Sequence, residues 1–257
     1  MELILLCTLA FLASVLTFFS GFGLGTLLTP VMMIYFHVEI AIALTGIVHL
    51  FNNLVKLILV GKHAKKEVLI KFGIPAVLFA VLGSFLMLYF KDLPPLYSYS
   101  LFNQDFSVYP FKFLVSILLI FFAILDLTPS FKTLAFSPNK LPLGGILSGF
   151  FGGLSGNQGA FRTAFLIKAG LSKEQFIGTA VVVSTFVDLS RLSLYSSQLF
   201  SEQLIEHLPL LIGSTSAAIM GAIIGHRLLK KVTFIWIQRM VAIFLIVISI
   251  GLALGFI

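Results

Sequence analysis

The stretch SGNQGAFR, residues 155–162, places two amides and a guanidinium, Asn157, Gln158 and Arg162, among glycines and between apolar runs. Amide groups donate and accept hydrogen bonds, and a guanidinium presents five N–H donors around a permanent positive charge. Such a set recognises an anion. A second set lies in two longer segments: His49, Asn52, Asn53 and Lys56 in HLFNNLVK, and Ser184, Asp188 and Arg191 in STFVDLSR. Ionisable groups inside apolar segments are expensive and face a cavity or one another. Asp188 and Arg191 are three residues apart, so an intrahelical salt bridge is their simplest structural reading, and a gating role is compatible with it. His49 reads either as a hydrogen-bonded packing residue or as a proton carrier. Lys56 lies five residues from Gly61 and either snorkels to that loop or meets a ligand. Asn53 is deeper and has no such exit. The only cysteine is Cys7, and neither an H-E-x-x-H motif nor a zinc-like Cys/His spacing occurs, so no metal, no cofactor and no enzyme active site is expected.

The elements that must hold these residues follow from composition. Of 257 residues, 59% are hydrophobic and 11% are charged, against about 25% charged in a soluble domain. The chain therefore reads as an integral membrane protein in contact with a lipid bilayer, all-α and polytopic. It forms a single membrane domain over 1–257. Residues 3–19 are preceded by Glu2 with no Lys or Arg before them, and read as a retained helix rather than a cleaved signal. The net charge of +7 reflects basic cytoplasmic loops rather than a nucleic-acid partner.

Apolar segments fall at roughly 3–19, 25–36, 39–60, 68–90, 111–127, 140–155, 159–169, 172–196, 206–228 and 233–256. Two of them, 25–36 and 159–169, would span only about 15–18 Å as helices. Each follows a glycine break, SGFGLG (20–25) or SGNQG (155–159). Sliding the chain by 135 positions puts Ser20-Gly21 on Ser155-Gly156, Glu39 on Glu174, Asn53 on Asp188 and Lys56 on Arg191. The expectation is an internal duplication: repeat 1 over 1–127 with a broken hairpin at 3–36, and repeat 2 over 140–257 with a broken hairpin at 140–169. In each, three transmembrane helices follow the hairpin. The segments GKHAKKE (61–67) and HRLLKK (226–231) are basic, whereas 97–109 and 196–207 hold no Lys or Arg. The positive-inside rule then gives the two repeats opposite orientations and puts both termini outside.

Irregular backbone inside a bilayer is tolerated only against protein or a wet cavity. Helices starting near Gly25 and Gly159 would present free N–H groups with partial positive charge, a setting for an anion. Gly21, Gly23 and Gly25 are thus candidate binding positions in the first break, and Gly156, Asn157, Gln158, Gly159 and Arg162 in the second. Asn53 joins them. His49, Lys56, Ser184, Asp188 and Arg191 are candidates for gating or coupling. Two plainer alternatives remain at this point: the glycines serve close helix packing, and Arg162 snorkels to one face. Glu39, Glu174 and the SKEQ box (172–175) read as helix-start features.

With those residues in view, the chain resembles the sulfite exporter TauE/SafE family, also called the four-toluene-sulfonate uptake permease family. The resemblance rests on GFGLGTLLTP (21–30), on GLSGNQGAFRTAFLIKAGLSKEQFIGTAVVVSTFVDLSRL (153–192) and on the two-halved layout. Gly21, Gly23, Gly25 and Pro30 match the family's glycine-rich stretch. Asn157, Gln158, Ala160 and Phe165 depart from its second motif and mark a divergent SGNQGAFR subgroup. The resemblance implies a bacterial inner-membrane permease for sulfite, sulfonates or related organosulfur anions. Alternating access is the expected mechanism, and a passive anion channel on the same skeleton is the alternative. The oligomeric state stays open, with a homodimer among its options.

Overall fold

A computed structural model describes residues 2–20, 23–91, 93–128, 136–194, 206–228 and 235–256. The chain is mostly helical. The helices are α1 (Glu2–Ser20), α2 (Leu24–Tyr35), α3 (Val38–Val60), α4 (Ile74–Lys91), α5 (Pro110–Leu127), α6 (Leu141–Ser155), α7 (Gly159–Leu166), α8 (Lys173–Leu194), α9 (Leu208–Leu228) and α10 (Ile235–Ala253). Among the described residues, four helical stretches are long and apolar enough to cross a membrane: Ile40–His63, Lys66–Phe90, Lys173–Leu194 and Leu208–Arg227. A row of apolar side chains on α4, Ile74, Leu78, Phe85 and Tyr89, is exposed, as expected of a face turned to hydrocarbon. This is an integral membrane protein.

Small residues set the helix pairing. Gly145, Gly149 and Gly153 recur every four residues and form one stripe along α6. A Cβ at these positions would collide with the carbonyls of Phe72, Ala76 and Ala80, so α6 lies backbone to backbone on the segment leading into and along α4. On α9, Gly213 faces Cys7, Gly221 faces Phe11 and Ser14, and Gly225 faces Val15 and Phe18 of α1. In both pairs the residue numbers rise together, so the partners run parallel. Close approach replaces the missing hydrophobic drive between helices in lipid. Accordingly, Gly149→Leu should destabilise the protein by about 3 kcal/mol or more. It should also lower its melting temperature in detergent, while Ile58→Ala, at an 83% exposed position, should leave it unchanged.

The helices that carry the polar residues run antiparallel. Gly46 of α3 faces Leu192 and Arg191 of α8, whereas Gly178 of α8 faces Val60 and His63 at the other end. The amide of Lys65 donates to Thr179 Oγ1 at 2.9 Å, fastening the α3–α4 turn to α8. The start of α8 has a reciprocal capping box. Ser172 Oγ accepts from the Gln175 amide at 3.2 Å, and Gln175 Oε1 accepts from the Ser172 amide at 3.1 Å.

The segment 97–109, expected only as a loop without Lys or Arg, contains an antiparallel hairpin of β1 (Tyr97–Leu101) and β2 (Gln104–Val108). Its turn is made by Phe102 and Asn103 at φ 51° and 60°, the left-handed conformation that two-residue hairpins require. Tyr99 donates to the Leu254 carbonyl at 2.7 Å and Phe106 packs edge-on against Phe256, so the hairpin caps the end of α10. The alternation of aromatic and serine residues over 97–100 was the available signal.

Candidate functional site

The two glycine breaks meet. Helix α6 ends at Gly156, whose φ of 76° is open to glycine but strained for other residues. The next helix, α7, starts three residues later at Gly159. Across from it, α2 starts at Leu24, immediately after the extended Gly23. A Cβ on Gly25 would lie 3.1 Å from the Gly156 carbonyl oxygen, and Thr26 donates to Asn157 Oδ1 at 2.9 Å. Residues 131 apart in sequence are thus fastened together within the protein interior. Asn157 and Gln158 are both 1% exposed, and the Gln158 carbonyl accepts from Ser148 Oγ at 2.9 Å. Gly21 lies outside the described residues.

Beside this junction, α3 and α8 bring four polar residues into one network. Asp188 is fully buried. Its Oδ2 lies 2.6 Å from His49 Nδ1 and accepts from Asn53 Nδ2 at 2.9 Å. Its Oδ1 accepts from Arg191 Nε at 3.1 Å, and Arg191 Nη2 lies 3.0 Å from the same oxygen. With the His49 Nδ1 proton directed at the carboxylate, that nitrogen cannot also accept from Asn53, so the Asn53 amide serves Asp188. The salt bridge expected from the Asp188–Arg191 spacing is present. The His49 partnership, bridging 139 positions, has no local sequence signal.

A small cavity lies on one side of this network. Its polar lining is Thr17, His49, Asn53, Lys56, Arg162 and Ser184, with Gly23 at its edge and Phe18, Ile177, Ala180 and Val181 as apolar walls. The volume is about 30 Å³, above the roughly 10–15 Å³ that one water requires. It therefore suits compact groups. Arg162 is 4% exposed and donates through Nη1 to Ser184, so it points inward rather than snorkelling. Lys56 is 5% exposed, with its ammonium 5.4 Å above the Phe18 ring. It too stays inside.

The cavity collects Gly23, Asn53 and Arg162 from the expected binding set and His49, Lys56 and Ser184 from the expected gating set. Gly25, Gly156, Asn157, Gln158, Gly159, Asp188 and Arg191 surround the junction and are not among its lining residues. Thr17 and Thr26 were not anticipated, nor was Ser14, which donates to Asn52 Oδ1 at 3.1 Å. Hydroxyls at i, i+3 on α1 are a weak signal in a helix otherwise read as apolar.

Charge decides what this arrangement can hold. Among the described residues, the buried charged side chains are Lys56, Arg162, Arg191 and Asp188. Counted with Lys56 protonated and His49 neutral, three basic side chains and one carboxylate sum to +2. An interior of one sign favours an anion in the cavity. No group of three or more metal-ligating side chains occurs among the described residues.

A family model described as sulfite exporter TauE/SafE matches residues 6–252, nearly the whole chain. No curated protein matches it.

Proposed function

The chain belongs to the sulfite exporter TauE/SafE family, and on that premise we propose that it is a secondary transporter for a small sulfur oxyanion, with sulfite as the leading substrate. The observation that carries this reading is the excess of buried positive charge around the cavity: Lys56 and Arg162 face it, and the Asp188 carboxylate is engaged by His49, Asn53 and Arg191. Arg162, Ser184 and Asn53 hold the anion by hydrogen bonds, Lys56 adds charge, and the helix starts at Leu24 and Gly159 add N–H dipoles. The volume of the cavity favours a compact oxyanion over a bulky sulfonate. Both termini face outward in this reading, in a bacterial inner membrane.

Alternating access follows from an inverted duplication. Three features of the packing support it. The pair α1–α9 has a counterpart in α6–α4, both parallel and both closed by small residues. The helices α3 and α8, aligned by a shift of 135, run antiparallel. Asn53 and Asp188, which that shift superposes, touch each other, as residues near a two-fold axis must. Transport then consists of one half rocking against the other around the shared junction.

Flux in proteoliposomes tests the reading. Sulfite uptake should saturate with concentration and respond to an imposed proton or potential gradient. Uptake that rises linearly without saturation would mean a passive anion channel. No sulfite flux in either direction would remove sulfite as the substrate.

A further inference from the structure

Resting on the inverted duplication just proposed, we propose a second anion site on the far side of the Asn53–Asp188 contact, formed by the Arg191 guanidinium with the hydroxyls of Thr29 and Thr45. This site takes the same oxyanion when the protein opens to the opposite face.

Three observations converge on it. The first is a set of buried polar atoms without partners. Arg191 is 1% exposed, Thr29 2% and Thr45 0%, and Arg191 Nη1, Thr29 Oγ1 and Thr45 Oγ1 make no hydrogen bond in the structure. A buried polar group left without a hydrogen bond is costly, more so when it is charged, and these three favour a ligand that would satisfy them.

The second is their convergence on backbone that has no side chain in the way. A Cβ on Gly156 would lie 2.8 Å from Arg191 Nη1 and 3.7 Å from Thr29 Oγ1. One on Gly25 would lie 3.7 Å from Thr45 Cγ2 and 3.8 Å from Thr29 Oγ1, and one on Gly46 3.3 Å from Arg191 Nη2. Glycines from three segments therefore let the Arg191 guanidinium and the Thr29 hydroxyl approach the same stretch of backbone, with the Thr45 side chain beside them.

The third is correspondence with the first cavity. The shift of 135 carries Lys56 to Arg191, Gly23 to Gln158 and Thr17 to Gly152, and it carries Thr45 to Ala180 and Gly46 to Val181. Three lining residues of the cavity, Lys56, Ala180 and Val181, thus have their equivalents in this cluster, and each half supplies one cation. Thr45 and Lys56 are eleven residues apart on α3, about 16 Å along the helix, with His49 and Asn53 between them. At the α2–α3 turn, on the opposite end of α3 from Lys56, lies a depression of about 410 Å³ whose lining includes His37, Ile40, Lys112, Glu206 and His207.

Thiol labelling in sealed vesicles of both orientations tests this. In a Cys7→Ser background, Thr45→Cys and Thr29→Cys should react with a charged methanethiosulfonate reagent from the face opposite to that from which Thr17→Cys reacts. The sulfonate-bearing reagent should react faster than its trimethylammonium counterpart by roughly tenfold or more, the low end of enrichment in a cleft of one sign. Arg191→Gln should abolish that preference. Labelling from the same face as Thr17→Cys, from neither face, or equally by both reagents would overturn the second site. Because sulfite itself cleaves thiosulfonates and mixed disulfides, its binding is read without the reagent: sulfite should raise the melting temperature of the parent protein. Anion-selective labelling without that rise would leave the second anion site standing and refute sulfite as its ligand, so the two failures are distinguishable.

Discussion

Arg162→Ala should reduce sulfite transport by roughly 30-fold to several-thousand-fold, the range spanned by about 2–5 kcal/mol for a buried charged partner. Among the described residues, Arg162 and Lys56 are the basic Lys and Arg side chains lining the cavity, and Arg162 is anchored there by Ser184. The same substitution should leave the melting temperature of the ligand-free protein unchanged or raised, because it removes positive charge from a site that holds an excess. That pairing of lost transport with retained stability separates a binding role from a structural one. Arg162→Lys should fall between, keeping the charge and losing the planar fork that serves Ser184 and an oxyanion together. Lys62→Ala, in the turn Gly61–His63 on the surface, should transport like the parent. Equal transport by the Arg162→Ala and Lys62→Ala variants would remove Arg162 from the site.

Asp188→Ala should act on the fold instead. It strands the Arg191 guanidinium in the interior and deprives His49 and Asn53 of their shared acceptor. Breaking a buried pair by deleting one partner costs about 3–5 kcal/mol, a large part of a typical stability of about 5–15 kcal/mol. The expected readout is a fall in monodisperse yield and in melting temperature. Asp188→Asn should be milder, since its carbonyl still accepts while only the charge is lost. The double variant Asp188→Leu/Arg191→Met should recover most of the stability and none of the transport, because apolar residues of similar volume replace a buried ion pair at little or no cost. A single Asp188→Ala variant as stable as the parent would show that the network does not hold α3 to α8.

Features set by local chemistry were legible in the residues. The breaks at 20–25 and 155–159, the helix starts after them, the capping box of Ser172 and Gln175 and the i, i+3 pair of Asp188 and Arg191 all depend on neighbours within a turn or two. So did the placement of cations inside apolar helices. Contacts between distant segments were not legible. Nothing near His49 indicates that it meets Asp188, and the cavity therefore divided the expected binding and gating sets along a line no spacing predicts. Asn157 and Gln158, expected beside the ligand, are buried at the junction and are not among the residues lining the cavity. The stripe of Gly145, Gly149 and Gly153 was visible as composition, but its partner on the Phe72–Ala80 segment was not.

The most direct measurement is a structure of the protein bound to selenite, whose selenium scatters anomalously and whose shape and charge are those of sulfite. The account predicts one selenium peak within hydrogen-bonding reach of Arg162 and Ser184, beneath Gly23 and close to Lys56. A selenium peak only at the protein surface, with the cavity between α3, α7 and α8 empty at saturating selenite, would contradict it.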